Sequence, residues 1–320
     1  MKRRTLLTAA LGGTVLGSGA WWIARERLQE FATAGIVFGT TVSLRVLHED
    51  EHTAKQALDA ALAAVRDVDR LMSLHRADSE LSRLNRDSRL LNPDPRVVTV
   101  LKAAQDTARL THGAFDVTVQ PLWMAAVAHS DSKRALSHVD WRRLEVSDER
   151  ITLHEPGMAV TLNGIAQGYG ADVALATLTS HGISHALLDT GEFSTLGQRD
   201  DGLPWMLAVR DPRDAQKLAH TWESDGRALA TSGDYETTFS EDFSQHHIFD
   251  PKTGQSPQQL ASVSVLAPSG MQADALSTAC MVMGMQASLQ LAERVSGVDV
   301  LCISKRGEIQ RSAGFPVSLV

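Results

Sequence analysis

A strand, a turn and the start of a helix follow one another near the end of the chain, and this unit constrains the fold most. We predict the strand over residues 262–267, the turn over 268–270 and the helix over 272–279. Residues four apart share a helix face, so Asp274 and Thr278 point the same way. A carboxylate and a hydroxyl make half of an all-oxygen site of the kind that Mg²⁺ prefers. Alternatively, Asp274 is a capping charge at the helix N-terminus and Thr278 has no special role.

Strands and helices alternate along the rest of the chain without a repeating βαβ pattern, which predicts an α+β fold. Amphipathic helices are predicted over residues 55–72 and 97–110. No linker divides the chain, so residues 31–320 are expected to form one domain. Further strands are predicted over residues 41–47, 185–189, 205–210, 227–231 and 300–304.

The charge of the chain argues against a nucleic-acid-binding surface, because its formal net charge is −7 and its pI is about 5.9. A hydrophobic content of 43% is sufficient for a large core. Cys280 and Cys302 both lie in apolar runs and have neither zinc-binding nor redox spacing. They are therefore expected to be small core residues.

The first 30 residues have the features of a targeting segment. Lys2, Arg3 and Arg4 form a basic start, and no charged residue follows between residues 5 and 24. This pattern predicts a twin-arginine-like export signal. The alternative is an N-terminal anchor helix, in which Trp21 and Trp22 lie at the membrane interface. Both predict a periplasmic protein, either free or held at the inner membrane.

A glycine-containing turn between a predicted strand near residue 160 and the next helix is suited to an anion. Gly164 and Gly168 allow close approach of a phosphate to the backbone N–H groups at a helix start. A packing turn is the alternative. The Thr-Ser-Gly run at 231–233 also suits phosphate or ribose contact, although by itself it is interpreted as an ordinary turn.

Two further stretches carry candidate catalytic or ligand-binding side chains. His247 precedes a turn marked by Asp250, Pro251 and Gly254, and a histidine there could act as a general base. A structural histidine is the alternative. Residues 113–119 are predicted to be strand-like, with Phe115 available to stack on a flat ring and Asp116 to accept a hydrogen bond. A core phenylalanine and a turn aspartate are equally compatible.

Taken together, these stretches resemble the FAD:protein FMN transferases, the ApbE family. The resemblance runs in order from about residue 38 to residue 284. It includes MSLHRADSELSRLN at 72–85, GAFDVTVQPL at 113–122, GIAQGYGAD at 164–172, HIFDPKTG at 247–254 and ADALSTA at 273–279, together with residues 182–197 and 231–235.

The resemblance implies an α+β, mixed-sheet, tunnelling-fold-like core flanked by helices. It also implies a Mg²⁺-dependent enzyme that moves FMN from FAD onto a threonine or serine hydroxyl of a partner protein and releases AMP. The implied metal ligands are Asp274, Thr278 and the Gly164 carbonyl, with Ser277 adjacent, and His247 is the implied base. The implied FAD contacts are His75, Ala114, Phe115, Asp116, Gln167 and Ile248.

Three positions depart from the family pattern. Gln167 replaces a common lysine, Thr161 replaces a common aspartate, and Glu192 lies in a Gly-Glu-Phe run where Gly-Gly-Asn is common. Together with the N-terminal segment, these changes resemble the branch that serves nitrous-oxide reductase maturation, with a membrane electron-transfer subunit as acceptor. The site motifs do not separate the transferase from an FAD pyrophosphatase, and Gln167 and Glu192 leave a non-catalytic periplasmic FAD-binding protein as a second alternative.

Overall fold

A computed structural model describes residues 28–319 of the chain. The predicted export signal or anchor lies outside the described residues, except for its last three positions. The first strand begins at Gln29, so the predicted boundary after residue 30 falls inside that strand. Between residues 28 and 319, no helix combines the length and the apolar character required to cross a membrane.

Helices and strands alternate irregularly along the chain, which confirms the predicted α+β class. The helices are α1 Glu51–Met72, α2 Glu80–Asp87, α3 Pro95–Leu110, α4 Gln120–Val127, α5 Ser132–Leu136, α6 Ala166–Ser180, α7 Gly270–Met283 and α8 Met285–Arg294. The strands are β1 Gln29–Val37, β2 Thr40–His48, β3 Arg89–Leu91, β4 Leu144–Val146, β5 Arg150–Leu153, β6 Ala186–Asp189, β7 Phe193–Leu196, β8 Met206–Asp211, β9 Asp214–Glu223, β10 Ala228–Gly233, β11 Leu260–Ala267, β12 Asp299–Ser304 and β13 Ile309–Arg311.

An eight-stranded sheet with the order β1-β2-β6-β7-β10-β11-β12-β13 forms the centre of the molecule. Every neighbouring pair in it is antiparallel, so the sheet is not a mixture of parallel and antiparallel strands. Two small sheets, β3-β5-β4 and β8-β9, lie outside it.

Both faces of the central sheet are covered, which explains why every residue of β11 is buried. On one face, Val263 and Val265 pack against Leu276 of α7. On the other face, Leu266 packs in a cluster with Trp222 of the β8-β9 hairpin. A strand covered on both sides contains few polar residues, and this produces the apolar run that the sequence shows at 260–267. Cys280 and Cys302 are buried in the first cluster, as predicted.

Helices α6 and α7 meet at their N-terminal ends, and each is capped by a carboxylate of the other. Asp172 of α6 accepts hydrogen bonds from the backbone N–H groups of Gly270 (2.6 Å) and Met271. Asp274 of α7 accepts one from the N–H of Gly168 (3.0 Å). Since the first N–H groups of a helix have no partner within it, this exchange satisfies donors on both helices. It also fixes the distance between the two chain segments that carry the predicted metal ligands.

Two segments differ from the strands expected from sequence. Residues 113–119 form a turn and a 3₁₀ helix, Val117–Val119, because Asp116 caps the N–H of Thr118 and draws the chain into a turn. The segment before α6 is irregular at residue 160. The side-chain amide of Asn85 pairs there with both the N–H and the C=O of Val160 and replaces a neighbouring strand.

Candidate active site

A cleft of about 610 Å³ opens between the N-terminal ends of α6 and α7, the turn after α3 and the segment that follows β10. This volume lies within the range of sites that hold small molecules. Ten of the eleven predicted site residues line it: His75, Ala114, Phe115, Asp116, Gly164, Gln167, His247, Ile248, Asp274 and Thr278. The chain therefore brings together residues that are spread over about two hundred positions of the sequence.

Asp274 is not the N-cap of its own helix. Ser269 occupies that position and accepts a hydrogen bond from the N–H of Gln272, whereas Asp274 lies in the second turn of α7. One carboxylate oxygen, Oδ2, bonds to Gly168, and Oδ1 accepts no hydrogen bond within residues 28–319. Asp274 thus caps a different helix with one oxygen and keeps the other available in the cleft. Burial raises its pKa to about 7, although the Gly168 N–H opposes this shift.

Gly164 and Thr278 lie in close contact. A Cβ added to Gly164 would be 2.7 Å from Oγ1 of Thr278, so this backbone approach requires glycine. In a regular helix the Gly168 N–H would bond to the Gly164 carbonyl, but it bonds to Asp274 instead. The Gly164 carbonyl consequently accepts no hydrogen bond from any described residue. At the junction of the two helices, Oδ1 of Asp274 and the Gly164 carbonyl therefore have no hydrogen-bond partner among the described residues, and the Thr278 hydroxyl has only Ser232.

Ser277 is the predicted site residue that does not line the cleft. Its hydroxyl donates to the Asp274 carbonyl (2.9 Å) and lies 2.7 Å from Oγ of Ser232. Ser232 lies on β10 and is 3.3 Å from Oγ1 of Thr278. Ser277 directly precedes Thr278, so its side chain leaves α7 from a different face and points toward the sheet. It therefore lies behind the oxygens of Asp274, Thr278 and Gly164 and not in the cleft.

His247 presents one ring nitrogen to the cleft. Its Nδ1 lies 3.1 Å from the Thr237 carbonyl, which can only accept, so Nδ1 carries the proton in the neutral ring. Nε2 then carries the lone pair. Burial lowers the pKa of His247 below 6.5, and the Thr237 carbonyl opposes this shift. A neutral imidazole with an unprotonated Nε2 is the form that a general base requires. Its neighbour His246 is fully buried and bonds through Nε2 to the Pro257 carbonyl.

The turn after α3 forms one wall of the cleft. Phe115 is 4% exposed and belongs to the main core cluster. Both oxygens of Asp116 are occupied, because Oδ1 accepts from Thr118 and Oδ2 accepts from the N–H of Trp141 at 3.0 Å. Burial raises the pKa of Asp116. Phe115 thus packs as a core residue and Asp116 stabilises a turn, as the alternative interpretation of this segment stated. Both residues and Ala114 nevertheless border the cleft.

The remaining predicted contacts are placed as follows. Nε2 of Gln167 donates to the Thr190 carbonyl at 3.3 Å, so this amide supports the turn after β6 as well as lining the cleft. His75 is exposed and lines the cleft after the end of α1. Ile248 is 6% exposed and packs with β10 and β11.

Several lining residues were not assigned to the site from sequence, and two groups of them are informative. Thr231, Ser232 and Gly233 end strand β10 and border the cleft, so their interpretation as an ordinary turn is wrong. The run of hydroxyls and glycine after an apolar stretch was the available signal. Trp123 of α4 also lines the cleft. Nothing in its local sequence distinguishes it from a core tryptophan.

The described residues that line the cleft include Asp69, Asp116, Glu192, Glu236 and Asp274, but neither lysine nor arginine. Glu192 is 6% exposed, and burial together with the charge of Asp274 raises its pKa well above the ordinary value. Like charges held together in a site shielded from water repel one another unless a cation or protons compensate. The cleft is therefore built for a positive charge supplied from outside the chain.

The model of the ApbE family matches residues 38–302, which is most of the chain. The chain belongs to the ApbE family. This confirms the resemblance found in the sequence. An FAD:protein FMN transferase of Vibrio cholerae is 34% identical over 293 residues, covering 85% of this chain and 86% of the relative. One from Haemophilus influenzae is 32% identical and covers 84% of this chain and 85% of the relative.

Solved structures of ApbE proteins share the fold. The ApbE protein of Thermotoga maritima superposes with a TM-score of 0.81 at 27% identity, covering 89% of this chain and 97% of that one. The flavin transferase ApbE of Vibrio cholerae gives a TM-score of 0.77 at 30% identity, covering 90% of this chain and 98% of that one. These matches agree with the ApbE-like core expected from sequence.

Proposed function

We propose that this chain is an FAD:protein FMN transferase that uses Mg²⁺, takes FAD as its substrate and releases AMP. The transferase activity is that of its ApbE relatives. The requirement for a cation is supported by one observation on this chain: an acidic cleft, lined by neither lysine nor arginine among the described residues, holds a carboxylate, a hydroxyl and a carbonyl oxygen together at the α6–α7 junction.

The ligand chemistry fits Mg²⁺. Asp274, Thr278 and the Gly164 carbonyl offer hard oxygen donors, and the glycine gives the cation and a phosphate access that a Cβ would block. The pyrophosphate of FAD is anionic and would be repelled by the carboxylates of this cleft. Mg²⁺ bound there would neutralise the charge on the pyrophosphate oxygens.

The residues of the chain perform two further tasks. Gly164 borders the cleft just before α6 and leaves room for a phosphate there, whereas Gly168 lies outside the cleft and its N–H is bonded to Asp274. His247 accepts the proton of the acceptor hydroxyl at Nε2 while the hydroxyl oxygen bonds to the phosphorus on the FMN side. The pyrophosphate P–O bond breaks, and AMP leaves. A positioned base contributes roughly 10²–10⁴-fold to such a step.

Location and acceptor are part of the same proposal. The basic start followed by an uncharged segment favours export by a twin-arginine route, and a membrane electron-transfer subunit is the expected acceptor. Changing Arg3 and Arg4 to lysine should retain the protein in the cytoplasm. Unchanged export of that variant would remove the twin-arginine route.

Asp274→Asn is the variant that tests the proposal most sharply. An asparagine oxygen can still accept from the Gly168 N–H, so the cap on α6 is kept while the negative charge is lost. Co-expression with the acceptor, followed by mass spectrometry of the acceptor, should show the FMN adduct with the wild type and a loss of about 10²-fold or more with the variant.

Asp172→Asn is the matched control. It weakens the reciprocal cap on α7 but lies outside the cleft, so it should lower stability and leave the Mg²⁺ dependence of transfer unchanged. Normal transfer by Asp274→Asn would refute the metal assignment. With the wild type, free FMN and AMP without adduct would indicate a pyrophosphatase. Bound FAD without AMP release would indicate a non-catalytic binding protein.

A further inference from the structure

Glu192 is a buried carboxylate that the proposed reaction has not used. It ends the turn between β6 and β7, next to Gly191, whose φ of +95° is a conformation that glycine adopts readily. This turn directs the chain so that Glu192 lines the same cleft as Asp274. Only 6% of the surface of Glu192 is exposed. Glutamate is rarely buried to this extent unless it is paired.

The carboxylate of Glu192 lacks a full set of partners. Its Oε2 atom is buried and makes no hydrogen bond within the described part of the chain. An unsatisfied buried carboxylate oxygen is unfavourable, because it has lost its water without a replacement. The buried carboxylate is therefore compensated either by a proton or by a cation that the chain itself does not provide.

A divalent cation is the partner that suits this position. Oxygens of Asp274, Thr278 and Gly164 lie at the α6–α7 junction. The turn that carries Glu192 packs against the first turn of α6, because Gln167 donates to the Thr190 carbonyl and accepts from the Thr190 hydroxyl. No lysine or arginine among the described residues lines the cleft to neutralise Asp274 and Glu192. We infer that Glu192 supplies a second carboxylate oxygen to the divalent cation held by Asp274, Thr278 and the Gly164 carbonyl.

This assignment, which rests on the proposed function only for the presence of a cation, has a consequence for binding order. Two carboxylates attract a divalent cation more strongly than one, and ligand charge count is a main determinant of cation affinity in proteins. The cation is then held by the chain before any nucleotide enters. With Asp274 as the sole carboxylate, tight binding would need the phosphate oxygens of FAD as additional ligands.

Binding of Mn²⁺ to the nucleotide-free full-length chain tests the inference directly, because the electron paramagnetic resonance signal of free Mn²⁺ reports binding without any reaction. The wild type should bind one Mn²⁺, and Mg²⁺ should compete for the site. Glu192→Gln keeps the shape of the side chain and removes its charge, and should weaken Mn²⁺ binding about tenfold or more. The matched control is Glu236→Gln, an exposed carboxylate lining the same cleft, which should change the affinity less than about twofold.

A second measurement separates lost ligation from lost folding. Addition of Mg²⁺ should raise the thermal midpoint of the wild type, and Glu192→Gln should lose most of this rise while its midpoint in EDTA stays close to that of the wild type. Equal Mn²⁺ affinity of Glu192→Gln and wild type, tighter binding by the variant, or no Mn²⁺ binding by the nucleotide-free wild type would each overturn the inference. Failure of FMN transfer by a wild type that binds Mn²⁺ through Glu192 would overturn the proposed function alone.

Discussion

Replacement of Gly168 by alanine tests whether the contact between α6 and α7 holds the site together. A Cβ at Gly168 would lie 2.5 Å from the carbonyl carbon of Gly270 and 2.7 Å from Cβ of Asp274. Ordinary contact begins at 3.4 Å, so the helices must separate by about 1 Å at this point. The obstruction includes backbone on the facing helix, which has no rotamer with which to move aside.

The expected loss of stability follows from three terms. Forcing the helices apart costs about 1–3 kcal/mol, and weakening the bond from Gly168 N–H to the Asp274 carboxylate costs a similar amount. Alanine regains about 1 kcal/mol through its higher helix propensity. The net loss is about 3 kcal/mol, which corresponds to a fall of about 5 °C in thermal midpoint for a chain of this size.

Activity should fall further than stability alone explains, because the same displacement moves Gly164 away from Thr278. Mg²⁺ tolerates little distortion of its ligands, and a displacement of about 1 Å at a reacting centre can cost about 10²-fold in rate. Thermal unfolding and FMN transfer at a temperature well below the midpoint measure the two effects separately.

Gly170→Ala is the matched control in the same helix. Its Cβ would be 3.1 Å from the ring edge of Phe38, and the next neighbours are also side-chain atoms that can shift. Gain in helix propensity and mild crowding should cancel to within about 1 kcal/mol. If Gly168→Ala were as stable and as active as Gly170→Ala, this would refute the reasoning that the close contact of Gly168 with Gly270 sets the site geometry.

Two pH-dependent predictions concern the neighbouring histidines. Burial raises the pKa of Asp274 to about 7, so the kcat/KM profile is measured at saturating Mg²⁺, which keeps this carboxylate ionised. Since burial lowers the pKa of His247, the profile should then be flat above pH 6.5 and fall about tenfold per unit below the lowered pKa. His247→Ala should lose this limb and about 10²–10⁴-fold of rate while binding FAD, and an unchanged profile would exclude His247 as the base. Burial lowers the pKa of His246 to about 4, so between pH 6.5 and 4 the unfolded chain binds the extra proton and stability falls as pH falls, by about 3 kcal/mol in total. Urea unfolding of the wild type and His246→Gln over this range checks the second prediction, and equal slopes would contradict it.

Local spacing predicted much of the architecture. The period-two pattern of β2 and the helical pattern of α1 depend only on near neighbours, and both elements occur where the sequence placed them. The N-cap of α2 is equally local, because Oγ of Ser79 accepts a hydrogen bond from the N–H of Ser82, three residues on. The common face of Asp274 and Thr278 depends on helix geometry alone and was predictable for the same reason.

Contacts between distant segments were not predictable in this way. The hydrogen bond from Gly168 to Asp274 joins residues 106 positions apart, and no local pattern requires it. Asp116 was expected to serve a ligand, but it is occupied by Thr118 and Trp141, and the latter is 25 positions away. A resemblance to family motifs identifies which residues gather at the site. It does not specify whether each side chain faces the ligand or supports the wall behind it, as Ser277 does.

With the cation site as proposed, the acidity of the cleft and the anionic character of FAD lead us to expect that cation and substrate bind cooperatively. Without a cation, the carboxylates of Asp274 and Glu192 oppose the approach of a pyrophosphate, and without the pyrophosphate a cation at this site lacks its remaining oxygen ligands. Each partner therefore removes an unfavourable interaction that the other experiences. By linkage, the factor by which the cation raises the affinity for FAD equals the factor by which FAD raises the affinity for the cation. Glu192 shifts this balance toward the cation, because it strengthens cation binding to the empty cleft and leaves less for the phosphate oxygens to contribute.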